Sequence, residues 1–335
     1  MNYNFDELID RRGTSAEKVE GMKSIWGRED LIPMWVADMD FATPPFVIDA
    51  IRKRCEHPVL GYTCKPDSYY QAIINWVDSR YGMKVRKEQI TYVPGIVPGL
   101  GMAINAFTHP GDKIMIMPPV YHPFSWLVTR NDRRVVECPL ILENGTYRMD
   151  LDLFRKEIKG VRVFILCNPH NPGGVVWTHD ELKAIANICA EDNVIVFSDE
   201  IHADLTLPPR HHVPFAMISE RAKNNSVTFM APSKAFNMPG VAASHAIIYN
   251  EGLHKRFTTY MESCEFGGGH VFVFPAVEAA YSEDFFVSHA HLALNSGTTF
   301  GKEGTGFMRM NVGCPRSVLE QAMKQLKEAY DNLFV

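Results

Sequence analysis

From about residue 90 the chain repeats one pattern: a short, almost wholly apolar run that ends in a turn, then a helical segment, then another run. The runs are ITYVPG (90–95), DKIMIMPP (112–119), RVFILCNP (162–169), NVIVFSDE (193–200), SVTFMAPS (226–233) and ASHAIIY (243–249). Strands this apolar have to be buried on both faces, and their alternation with helices predicts a largely parallel sheet covered by helices. Between the third and fourth runs, Thr178 and Glu181 stand at capping-box spacing, and Leu182, Ile185, Ala186 and Cys189 recur at helical spacing. The expectation is an α/β fold with a large domain over residues 46–282. The irregular, aromatic residues 1–45 and the C-terminal stretch 283–335, which holds the amphipathic segment SVLEQAMKQLKEAYDNL (317–333), would form a smaller domain.

The charge balance narrows the partners. With 34 basic against 39 acidic residues and a net charge of -5, no Lys/Arg cluster rises above the scatter, which argues against nucleic acid or an anionic membrane as a partner. The N-terminus carries Asp6, Glu7 and Asp10 where a secretory signal needs a basic start and an apolar block, and no apolar run approaches a membrane span. Seven widely spaced cysteines without a C-x-x-C suit a reducing compartment. Together these features point to a soluble, cytoplasmic protein. His211-His212 and His289-Ala290-His291 lack companion ligands at metal spacing, so no metal is expected and these histidines are read as solvated.

In open α/β sheets ligands bind outside the carboxyl ends of the strands, so the residues that follow each run should face one crevice. After the first run comes GIVPGLG (95–101), a glycine turn entering a helix whose free N–H groups can hold a phosphate. The second is followed by Tyr121, the third by NPHNPGG (168–174), the fourth by Asp199 and Glu200, and the fifth by Lys234. Each motif alone is weak: the glycine turn matches no nucleotide-binding spacing, Asp199 could be a helix cap, Tyr121 a core aromatic and Lys234 a solvated cation. Their convergence on one edge is what carries weight. A phosphate cradle, an aromatic face, an amide, a carboxylate and an amine together suit pyridoxal 5'-phosphate, whose aldehyde needs a lysine, whose ring nitrogen needs an acid and whose phosphate needs N–H donors. The apolar setting of Lys234 favours the uncharged amine that such chemistry requires.

The motifs CNPHNPGG, SDEIHADL and APSKAFNMPG, in this order and spacing, resemble the class I/II aminotransferase superfamily of fold-type I pyridoxal phosphate enzymes, and most of all its PatB/MalY-like carbon–sulfur β-lyases. MWVADMDF (34–41), GYT (61–63), LNSGTTFG (294–301) and GFMRMNVGCPRS (306–317) extend the resemblance over nearly the whole chain. It implies that Lys234 binds the cofactor aldehyde and shuttles the Cα proton, and that Asp199 pairs with the ring nitrogen. Asn171 and His202 would address the phenolic oxygen and Tyr121 would stack on the ring. The phosphate would be held by the backbone of Ile96 and Val97 and by the Ser233 hydroxyl. Tyr62 is expected to reach the neighbouring site of a homodimer, Arg309 to clamp the substrate carboxylate, and Trp35 and Asp38 to belong to the substrate-side segment. The implied reaction is β-elimination from a cystathionine-like amino acid, giving a thiol, pyruvate and ammonia.

Two departures from the family pattern stand out. The usual N-P-T-G is here Asn171-Pro172-Gly173-Gly174, a change expected to spare Asn171. After Tyr281 about fifty residues of the pattern are absent, enough for three or four ordinary helices or strands, so the smaller domain is expected to be incomplete. An aminotransferase on the same cofactor, or a cofactor-binding protein that has lost turnover through the deletion, are the competing expectations.

Overall fold

The computed structural model describes residues 7–30, 33, 35–207, 209–266 and 268–282, the pairs 295–296 and 308–309, and helical positions scattered between 320 and 331. Two short helices, α1 (Glu17–Glu20) and α2 (Met22–Trp26), precede α3 (Pro45–Cys55) and α4 (Asp67–Tyr81). Then come β1 (Ile90–Val93), α5 (Ile96–Phe107), β2 (Lys113–Ile116), α6 (Pro123–Arg130), β3 (Arg134–Glu137) and the hairpin β4 (Ile141–Glu143) and β5 (Thr146–Arg148). The chain continues through α7 (Leu151–Glu157), β6 (Val161–Cys167), α8 (His179–Glu191), β7 (Ile195–Asp199), α9 (Glu220–Asn224), β8 (Ser226–Met230), β9 (Ser244–Ile247), α10 (Glu251–Ser263) and α11 (Val273–Ala280). A last pair, β10 (Asn295–Ser296) and β11 (Met308–Arg309), is antiparallel and sets Asn295 opposite Arg309.

Seven strands form one sheet in the order β1-β9-β8-β7-β6-β2-β3. It is parallel except at β9, which runs against both β1 and β8. The reason lies in the connection: between Met230 and Ser244 the chain contains a 3-10 turn but no α-helix, and without a crossover it folds back antiparallel beside β8. β3 escapes sequence reading because it is a half-exposed edge strand with charged ends and no apolar run. The β4–β5 hairpin turns through Asn144 and Gly145, both at positive φ, the pairing that two-residue hairpins favour.

Residues alternate between the two faces with a period of two. On β6, Val163, Ile165 and Cys167 join Val93, Phe197, Val227 and Phe229 in the layer under α5, while Phe164 and Leu166 pack with Leu182, Ile185 and Cys189 of α8. The capping box at Thr178 and Glu181 forms as the spacing predicts. α3, α4 and α11 close a third cluster around Tyr92, Met230 and Ile247. Among the described residues no helix is long and apolar enough to cross a membrane.

Candidate active site

Strands β1, β2, β6, β7 and β8 all run in one direction, so the five motifs read from the sequence arrive at one edge of the sheet. The glycine turn has two separate steric tasks. Gly95 sits at φ 148°, a left-handed-side conformation that lets the chain break from β1 directly into α5. Gly99 lets α5 lie close against the sheet: a Cβ there would meet Phe229 at 3.0 Å and Val93 at 3.1 Å. The result is a buried helix start at Ile96, where the helix itself makes no use of its first backbone N–H groups, Ile96 and Val97 among them.

Asp199 ends β7 in register with Cys167 on β6 and Phe229 on β8, on the α5 face. It is buried, and its one hydrogen bond among the described residues comes from the Ile201 N–H at 3.1 Å. Burial pushes its carboxyl up to about 7, against the pull of that N–H; Glu200 adds a smaller upward push and Lys234 a smaller downward one. Glu200, one residue on, points to the opposite face as strand alternation requires. There it accepts from Ser198 Oγ at 2.8 Å, Phe215 N–H at 2.9 Å and His212 Nε2 at 2.7 Å. His212 is therefore buried on Glu200, which corrects the expectation of a solvated pair; His211 is exposed, and His289 and His291 lie outside the described residues. Among the described residues no His/Cys/Asp/Glu group has the makings of a metal site.

Lys234 lies in the turn after β8, half-buried, beside the buried Ser233. Its Nζ donates to the Ala37 carbonyl at 2.7 Å. Burial lowers its pKa, while the charges of Asp38 and Asp199 pull it back up. Its own charge acts on His202, whose pKa is lowered first by burial and then by this cation. Tyr121 is half-buried in the turn between β2 and α6, its phenol raised by burial and then by the Asp199 charge. Lys234, Asp199, His202, Tyr121 and Asp38 thus share one electrostatic neighbourhood.

Asn171 stands in the loop after β6, where its N–H donates to Cys167 Sγ at 3.3 Å and its carboxamide has no hydrogen bond among the described residues. The Gly173 departure has a steric cause: a Cβ there would lie 2.7 Å from His170 Nδ1 and 2.9 Å from Tyr147 Cδ2 of the β4–β5 hairpin. The family's threonine does not fit against this hairpin.

Two expected residues are not gathered at this edge, and a third lies outside the described side chains. Tyr62 is fully exposed, in the exposed stretch that includes Val59 and Leu60. Trp35 turns its indole to the N-terminal helices, donating to the Lys18 carbonyl at 2.9 Å and meeting the Trp26 ring edge-on at 5.3 Å. The side chain of Arg309 lies outside the described residues. Asp38 does come near Lys234, held by Arg11 through two hydrogen bonds of 2.6 and 3.1 Å, and Arg11 keeps its carboxyl below the ordinary range. Sequence reasoning missed Glu200 with His212, and Asn237, which binds the 39–43 segment.

The donors and acceptors present suit pyridoxal phosphate: a half-buried amine, a dry carboxylate for a ring nitrogen, a carboxamide without a hydrogen bond among the described residues, and a helix start for a phosphate. The chain belongs to the aminotransferase class I and II family, whose profile matches residues 29–250. Within that family it is 34% identical to the cystathionine beta-lyase PatB of Bacillus subtilis (strain 168), over 97% of this chain and 99% of that protein. That alignment spans 384 positions against a chain of 335 residues, so at least 49 of them have no counterpart here. A PLP-bound putative aminotransferase from Clostridium difficile 630 superposes with a TM-score of 0.82 at 36% identity, covering 98% of this chain and 100% of that one. The PLP-bound C-S lyase from Staphylococcus hominis gives 0.79 at 32% identity, covering 98% of each chain. The fold is that of the fold-type I pyridoxal phosphate enzymes.

Proposed function

We propose that this chain is a pyridoxal 5'-phosphate-dependent carbon–sulfur β-lyase that acts on cysteine S-conjugates of the cystathionine type and, with the uptake of one water, releases a thiol, pyruvate and ammonia. The observation that carries the reading is the half-buried Lys234 amine sharing one sheet edge with the buried Asp199 carboxylate. Full-length similarity to a cystathionine β-lyase and to a C-S lyase supports the choice of reaction.

When bound, the cofactor supplies an electron sink for the charge left at the substrate's Cα. Lys234 Nζ would hold the cofactor's aldehyde carbon and, once free, would accept the Cα proton. Burial aids this by keeping the amine readily uncharged. Loss of that proton lets the Cβ–S bond break and the thiolate leave. Asp199 holds the proton on the ring nitrogen, and in a site this dry an opposite charge stabilises its carboxylate strongly. Asn171 and His202 would hold the ring's phenolic oxygen, and Tyr121 would pack against the ring. Ile96 N, Val97 N and Ser233 Oγ donate to the phosphate. Arg309 pairs with the substrate carboxylate, for which a guanidinium fork is suited, on a small domain made from residues 1–45 and 283–335 beside the large domain of 46–282. Trp35 and Asp38 belong to this substrate side. A second copy of the chain completes the site with Tyr62, whose full exposure in one chain supports that role.

The test is borohydride reduction of the purified protein with peptide mapping, followed by assay on cystathionine. The cofactor should be trapped on Lys234, and pyruvate should form without any added keto acid. Label elsewhere sinks the proposal, and amino transfer that depends on a keto acid converts it to an aminotransferase. The unmatched alignment positions favour one further reading, a cofactor-binding protein without turnover, which would show the label but no pyruvate.

A further inference from the structure

The Lys234 turn and the segment Ala37–Thr43 are almost two hundred residues apart in sequence and are joined mainly through one side chain. Asn237 Oδ1 accepts from Met39 N–H at 2.9 Å, and its Nδ2 donates to the carbonyls of Met39 at 3.0 Å and Phe41 at 2.7 Å. The Thr43 hydroxyl donates to the Asn237 carbonyl at 2.7 Å. The carboxamide therefore uses its donor and acceptor ends at once, which neither an aspartate nor an alanine can do. Asn237 sits at φ 46°, a left-handed conformation that asparagine tolerates better than most residues. Just ahead of the latched residues are two groups that act on the lysine: the Ala37 carbonyl, which accepts from Nζ, and the Asp38 carboxylate, whose charge reaches it. Asp38 is in turn fixed by Arg11, and the Lys18 amine bonds the Asp38 carbonyl at 3.1 Å and the Asp40 carboxylate at 2.7 Å.

We infer that Asn237 is a positioning residue for Lys234: it latches the 37–43 segment in register so that the Ala37 carbonyl and the Asp38 carboxylate receive the amine when an incoming amino acid releases it. The inference rests on the reading that Lys234 carries the cofactor. An amine released into this setting keeps a hydrogen-bond acceptor and a nearby negative charge. Without the latch water would replace the acceptor and the nearby charge would be lost, so the exchange with substrate would be less favourable. The latch acts through the backbone of its partner segment, where its side-chain hydrogen bonds go.

The experiment titrates the holoenzyme with L-alanine, an amino acid without a leaving group at Cβ, and follows the near-visible cofactor band. Asn237→Gly keeps the left-handed backbone available and removes the three side-chain hydrogen bonds. It should weaken the apparent affinity for L-alanine about tenfold, the effect of losing a hydrogen bond to a charged group. Thr43→Val removes one hydrogen bond without altering Asn237 and should shift affinity the same way by a smaller factor. Both variants should still trap cofactor on Lys234 with borohydride. If either folded variant melts at a lower temperature yet titrates like the parent, Asn237 is only a structural tie and the inference is wrong; should Asn237→Gly fail to fold, Thr43→Val decides. Label mapping to another lysine in the parent protein would instead overturn the reading of Lys234, an outcome separate from the titration.

Discussion

The two walls of the candidate site are built by different means. Asp199 is fixed by strand ladders on both sides, paired with Cys167 and Phe229, and lies on the sheet face covered by α5. The opposing segment, residues 35–44, has no helix or strand and is held by the Asn237 carboxamide, Thr43 and the ion pairs of Arg11 and Lys18. The contrast matches the two chemical duties proposed for these groups. A group that holds a ring proton works best dry and immobile, because preorganised charge costs no reorganisation during reaction. In the same proposal an amine that leaves and returns is met by acceptors that side-chain ties, rather than strand ladders, hold in place. Lys234 stands between the two walls.

The largest effect expected is at that amine. Lys234→Ala should lower pyruvate release from cystathionine by on the order of a thousandfold or more, because in the proposed function one residue both anchors the cofactor and moves the proton. Rates near those of the parent would show that the proton passes through another group and would break the division of labour between the walls.

The buried wall comes next, and it can be tested through stability as well as rate. Asp199→Asn should cost about a hundredfold in turnover, within the range for loss of a single preorganised electrostatic group. In the cofactor-free protein the Asp199 carboxyl is raised to about 7 by burial, above an unfolded value of about 3.9. The folded state then binds its proton more tightly than the unfolded state. Its contribution is complete below about pH 4 and is lost as pH rises toward about 7, so thermal stability of the apoprotein should fall across that window. Melting curves at pH 5 and pH 7.5 check this: the parent apoprotein should show the drop, Asp199→Asn should lack this contribution, and bound cofactor should reduce it. An identical pH response in parent and variant apoproteins would mean that Asp199 is not the group that titrates.

How much of this was legible in the sequence depends on the range of the interaction. The five strand ends could be read because strands buried on both faces leave unmistakable apolar runs, and parallel order brings their ends together. β3 could not, since a half-exposed edge strand lacks that signature. Asp199 and Glu200 were read together as one strand-end offering, although strand alternation already sends neighbours to opposite faces, and Glu200 serves His212 instead. The burial of His212 depends on a partner twelve residues away across a loop. The latch at Asn237 depends on partners 194 to 198 residues away. No local pattern encodes either contact. Gly173 lies between these cases: its departure from the family motif was visible, but the cause, Tyr147 on a separate hairpin, was not.

That cause can be tested directly. Gly173→Thr restores the family residue but drives a side chain into His170 and Tyr147, and should destabilise the protein by about 1–3 kcal/mol, the usual cost of overpacking. Adding Tyr147→Ala opens one of the two contacts, so the double variant should recover part of the loss. Full additivity in thermal or urea unfolding would show that the hairpin does not govern this position.

The smallest effect is expected on the open wall, at Asp38. Its carboxylate stands near Lys234 but is mainly engaged by Arg11, and it is the charge that most opposes the burial-induced lowering of the lysine's pKa. Asp38→Asn removes that opposing charge while keeping a side chain of the same shape. Free Lys234 should therefore lose its proton at lower pH, and the acidic limb of the rate profile, if set by this amine, should move to lower pH. Asp38 is partly exposed and solvent screens its field, so the shift should be well under that from a buried charge, with a change in kcat/KM of less than about tenfold. A pH–rate profile of parent and variant on cystathionine makes the measurement. A shift toward higher pH would mean that Asp38 acts mainly by anchoring Arg11, with water entering the open wall and favouring the charged amine. A loss as large as that of Asp199→Asn would show that the two walls differ less in rigidity than their hydrogen bonding implies.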